Sequence, residues 1–165
     1  MLIRGCKVLL VFLMALYFAV IALGNITDPD ANLAFIGHIM AMDTIFPDST
    51  LTWRAITNPV AHHIAFWIII LWQIVTAIVL GIGGVALWGE RDSGPAFQQA
   101  KGTAYLGLMA GLSLYLFVFM IVGGEWFAMW QSETYNAQPA AYRFLGMIGF
   151  VFLILLHRDD QPSDL

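Results

Sequence analysis

The chain has 165 residues, of which 60% are hydrophobic and 11% charged, with a mean hydropathy of +0.79. A typical soluble domain is about 45–50% apolar and about 25% charged, so a water-soluble globule of this size is excluded, as is disorder. Seven Lys+Arg against eleven Asp+Glu provide no basic patch for phosphates, which removes nucleic acid as a partner.

Charge gaps locate the membrane spans. Uncharged runs cover residues 8–27, 55–89 and 102–124, and 144–157 has only His157 to titrate. About 20 apolar residues cross a bilayer core as a helix. With ends extended to the nearest start signals, the predicted spans are about 5–25, 59–88, 103–130 and 139–157. The fold class is all-α: a four-helix transmembrane bundle with a structured periplasmic loop, 25–58, between the first two spans.

In the first span, Arg4 and Lys7 precede the apolar run and Ala22-Leu23-Gly24 follows it. That pattern also fits a signal peptide, but the core is at the long end, and a retained helix is the reading adopted. Cys6 is the sole cysteine, so no intrachain disulfide forms; Ile3-Arg4-Gly5-Cys6 is a poor lipoprotein site because of its arginine.

The loop after it is long for a connection and carries a pattern of its own. Asp30 is placed to cap a helix whose apolar residues Leu33, Ile36 and Met40 share a face, widened by Phe35, Ile39 and Met42. This helix is expected to lie on the membrane or cap the bundle. Phe46-Pro47-Asp48-Ser49 is a turn signal, and Trp53 and Arg54 lead back to the bilayer.

Asn58 and Pro59 form a cap and first helical residue for the second span. The connection 89–102 reads as a polar turn. The third span is expected to continue past Gly123-Gly124, placing Trp126 and Trp130 on one helix face. Pro139 opens the fourth, which places Arg143 in its first turns, where it must snorkel or pair. The tail from Arg158 to Leu165 is polar and expected to fray. Gly107 with Gly111, and Gly146 with Gly149, are small residues suited to close helix approach.

With the N-terminus inside, Arg4, Lys7, Arg91, Lys101 and Arg158 are cytoplasmic, and Arg54 and Arg143 are outside. The positive-inside rule therefore predicts both termini in the cytoplasm.

No motif of strong catalytic specificity is present. No Asp, Glu, Lys or Arg is expected within the helices away from their ends, which argues against ion-coupled transport. Gln73, Thr76 and Ser113 are the interior polar residues, expected to bond from helix to helix. What remains is a clustering by depth. His62 and His63 open the second span, Glu125 closes the third and Arg143 starts the fourth, with His38, Asp43 and Arg54 in the loop above and Trp53, Trp126 and Trp130 beside them.

Three readings stay open for that outer cluster. It is a brace in which Glu125 pairs with Arg143 and the histidines bond loop carbonyls; or a pocket for a quinone or lipid headgroup; or a metal site built from His38, Asp43, His62 or His63 and Glu125. Haem fits less well, because adjacent His62 and His63 cannot ligate one iron from opposite faces.

The run Gly123-Gly124-Glu125-Trp126-Phe127-Ala128-Met129-Trp130-Gln131-Ser132 closely resembles the signature of a bacterial family of small four-span integral membrane proteins of unknown function. Met42-Asp43-Thr44-Ile45-Phe46-Pro47 and Trp53-Arg54-Ala55-Ile56 resemble its loop pattern, and Gln73 matches an acid-or-amide position of its second span. The resemblance implies a bacterial inner membrane and no particular activity or cofactor. The combined expectation is a non-catalytic accessory or assembly subunit, in contact with lipid and with other membrane-protein subunits.

Overall fold

A computed structural model describes residues 1–159. It is all-helical. Helix α1 (Leu2–Thr27) is followed by α2 (Pro29–Ala41), α3 (Pro59–Gly89), α4 (Gly94–Ser113) and α5 (Gln138–Leu156). Helix α4 runs without a break into a π-helical segment, Leu114–Trp126, and the two form one span.

Four elements are long and apolar enough to cross a bilayer: α1, α3, α4 with its π segment, and α5. The shortest, α5, has 19 residues, about 28 Å at about 1.5 Å each, which just matches a hydrocarbon core. In each span only 22% to 33% of the most apolar window is buried within the protein. The outward side chains, such as Leu16, Leu71, Ile78, Leu106 and Phe150, form an apolar sheath. Water would penalise that sheath and lipid does not.

The spans pack as a closed ring: α1 against α3, α3 against α4, α4 against α5, and α5 back against α1. Phe18, Leu80, Leu108, Leu114 and Ile148 fill its centre. Glycine permits the close contacts. A Cβ on Gly83 would stand 2.7 Å from the Ala104 backbone nitrogen, and one on Gly107 would strike Leu80. Gly111 meets Phe18 in the same way, so the Gly107–Gly111 pair packs as expected. Gly146 and Gly149 do not: nothing lies within 4 Å of either Cβ position. Two packing glycines that the sequence reading missed, Gly83 and Gly84, lie on α3, the second against Phe12 of α1.

Two boundaries differ from expectation. The third span begins at Gly94, not 103, because Ser93 accepts a hydrogen bond from the Ala96 amide (3.4 Å) and Pro95 lies in the first turn. Residues read as turn formers are thus a helix start. The span ends at Trp126, not 130, because the chain turns left-handed at Ala128 (φ 51°) before a short 3-10 turn, Met129–Gln131. The lid helix α2 starts with Pro29 at its first position after Asp28, so Asp30 lies inside the helix instead of capping it. At the start of α3, Asn58 caps as expected, accepting from the Val60 amide at 2.9 Å. Of the C-terminal tail, Asp159 is docked, while 160–165 lie outside the described residues.

Candidate functional site

The lid packs on α3 and α1 and divides the outer cluster into separate groups. In the first, α2 ends at Met42, whose left-handed backbone (φ 53°) turns Asp43 back toward the helix. Asp43 accepts from His38 Nδ1 at 2.8 Å, and the His38 ring stacks on Tyr135 at 4.2 Å. His62, one turn into α3, donates from Nε2 to the Ile56 carbonyl at 2.7 Å, which leaves Nδ1 facing Gly37. With Asp30 and the exposed His63, these side chains line an open cleft of about 420 Å³. Among the described residues, no group of three or more His, Cys, Asp or Glu is placed to hold a metal ion.

The second group is built on Arg54, in a 3-10 turn at Thr52–Arg54. Its guanidinium lies 5.2 Å from the Trp53 ring and 4.9 Å from the Trp126 ring, which meet edge to face at 5.9 Å. Arg54 Nη1 donates to the carbonyls of Glu125 (3.4 Å) and Trp126 (3.3 Å). These carbonyls end the π segment, where helix polarity favours a cation. Trp130 meets Phe46 edge to face at 5.9 Å. The loop beneath is fixed by Thr44–Ser132 (2.8 Å) and by the Ile56 amide on the Met40 carbonyl (2.7 Å).

Glu125 and Arg143 are exposed and form no ion pair among the described residues; Arg54 is bound by main-chain carbonyls instead. Trp126 and Trp130 do not share a helix face, because the π segment ends between them.

The interior polar residues also depart from expectation. Thr76 and Ser113 bond carbonyls of their own helices, at Trp72 (2.8 Å) and Met109 (2.7 Å). Only Gln73 reaches another helix, accepting from Asn25 Nδ2 on α1 at 2.9 Å.

The sequence reading missed a buried charge cluster at the other end. Lys7 and Lys101 are 2% and 0% exposed, in the second turn of α1 and at the start of the third turn of α4. Both ammonium groups donate to the same oxygen, Asp159 Oδ2, at 2.6 Å. Both also donate to the His157 carbonyl at the end of α5, and Lys101 adds Gln98. Burial alone would raise the Asp159 carboxyl, but hydrogen bonds from Lys101 and Lys7, with their charges, hold it below the ordinary 3.8. This latch ties the start of α1 and α4 to the end of α5, so the described ends of the chain lie on one face. Lys7 and Lys101 border their apolar runs and Asp159 follows the last, a signal of equal depth and opposite sign.

Four spans with apolar outward faces, a helical lid at one end and a charged latch at the other define a small polytopic α-helical membrane protein. Residues 3–158 match the family described as "predicted small integral membrane protein (DUF2165)", and the chain belongs to that family. No curated protein and no solved structure matches it.

Proposed function

We propose that the protein is a non-catalytic accessory or assembly subunit that packs beside a larger complex in the bacterial inner membrane. The observation that carries this reading is the Trp53–Arg54–Trp126 plate. Trp53 is 70% exposed, yet its neighbours are held by main-chain bonds. Tryptophan and arginine dominate the energetics of protein interfaces, and a pre-ordered patch loses less entropy on binding. An interfacial aromatic belt needs tryptophans at the right depth but no arginine held against their rings. The partners are other membrane-protein subunits, reached at the outer surface.

The latch supports the proposed orientation. It gathers Lys7 and Lys101 at the end of the bundle where the first and last described residues lie, and a cytoplasmic placement of that end satisfies the positive-inside rule. A C-terminal reporter active only in the periplasm contradicts it.

Affinity purification at endogenous level tests the docking reading. Defined larger subunits accompany the parent chain, and Trp53→Ala loses them with an unchanged melting temperature. A monodisperse parent chain without companions refutes the reading.

A second reading rests on the cleft of His38, Asp43, His62 and His63, which joins two acids and three imidazoles in one opening when Asp30 is included. It treats that cleft as a site for a small polar ligand or a metal ion, with Glu125 and Arg143 outside it. A bound species at fixed stoichiometry, lost in His62→Ala, supports this reading; a species retained in that variant refutes it.

A further inference from the structure

A different site lies within the bundle, independent of the docking plate. Asn25, Gln73 and Tyr115 line a cavity of about 240 Å³ walled by Phe35, Phe119 and Phe144. Tyr115 is 3% exposed and packs against Phe144 at 4.5 Å, yet its hydroxyl bonds no described residue. The Asn25–Gln73 bond uses one nitrogen and one oxygen, so the other amide atom of each residue remains for a guest in the cavity both residues line. An occupant that bonds the Tyr115 hydroxyl gains a hydrogen bond the fold itself does not supply.

Phe35 and Phe119 also line a second cavity of about 150 Å³, bounded by Ile69, Val122 and Met129 and wholly apolar. Of the shared wall, Phe35 belongs to α2 and Phe119 to the π segment, a conformation frequent at functional sites. No charged side chain lines either cavity.

We infer that these cavities form one binding site for a neutral lipoquinone, with its carbonyl-bearing ring among Asn25, Gln73 and Tyr115 and its isoprenoid chain along the apolar cavity. The absence of lining charge selects an uncharged head. Amide and phenol groups select ring oxygens that accept hydrogen bonds, and three phenylalanine rings select a flat guest. A diacylglycerol shares the neutral oxygens and apolar chain but not the ring. The site binds the guest, and no redox step is assigned to it.

The test is native mass spectrometry of the full chain in detergent, titrated with a benzoquinone carrying two isoprene units and, separately, with dioleoylglycerol. The quinone is retained at one per chain. Tyr115→Phe, which keeps the ring packing, weakens it about fivefold, the loss of one hydrogen bond. Ala140→Leu, which fills the cavity edge, weakens it more than tenfold. Melting curves establish that each variant is folded, and Tyr115→Phe alone decides the outcome if Ala140→Leu does not fold. No quinone retention, retention unaffected by Tyr115→Phe, or retention of dioleoylglycerol alone overturns the assignment.

Discussion

Replacing Asp159 with asparagine removes the one carboxylate between two buried lysines. Both ammonium nitrogens lie 2.6 Å from the same oxygen, so they face each other across it. Two unit charges about 5 Å apart repel by about 3 kcal/mol at an effective dielectric of 20. The His157 carbonyl, bonded to both, offsets part of this, and loss of the pairing itself adds to it. Breaking a buried pair from one side generally costs about 3–5 kcal/mol. A net cost of about 3 kcal/mol corresponds to a fall of about 6–12 °C in melting temperature for a chain of this length. Tryptophan fluorescence of the purified chain during heating in detergent measures it. The double variant Asp159→Asn with Lys101→Met removes the repulsion and is more stable than Asp159→Asn alone. A melting temperature within about 2 °C of the parent for Asp159→Asn refutes the latch, because no buried cation would then be left uncompensated.

Acid provides an independent probe of the same group. The folded pKa of Asp159 lies below its ordinary 3.8, so its contribution is complete above that value and disappears as pH falls through the lower folded value. Stability is therefore expected to hold from neutral pH down to the ordinary value and then decline, with less decline in Asp159→Asn. Gly83→Ala places a Cβ 2.7 Å from the Ala104 backbone nitrogen and forces α3 from α4; overpacking of about 1–3 kcal/mol should appear in the same melting assay. At Ala128, with φ 51°, glycine is expected to be tolerated, while Ala128→Val destabilises strongly, because a β-branched residue resists that backbone; equal stability of the two variants contradicts this. Arg54→Lys keeps the charge but loses the guanidinium's contact with both the Trp53 and Trp126 rings, so tryptophan emission should change as much as in Arg54→Ala.

The spans were legible because apolar length and charge gaps act locally: α1, α3 and α5 begin and end within a few residues of expectation. Asn58-Pro59 was readable as a cap for the same reason. The start of α4 was missed because Ser93, Gly94 and Pro95 serve equally as turn formers and as a helix start, and only the Ala96 amide distinguishes the two. The π segment has no composition that separates it from an α-helix, so the register that parts Trp126 from Trp130 could not be read. At the outer site, the sequence gathered residues by depth, but depth does not say who pairs. The partners of Arg54 are main-chain carbonyls, which no side-chain pattern reveals. The lysines of the latch were counted only as orientation signals, since their common partner is about 150 residues away from Lys7 in the chain.

The most direct test of the accessory-subunit reading is native mass spectrometry of the protein extracted gently from its own membranes at endogenous level. The account predicts this chain in a complex with defined larger subunits, lost in Trp53→Ala while the variant remains folded. A mass of this chain alone, or of its own multiples only, would contradict it.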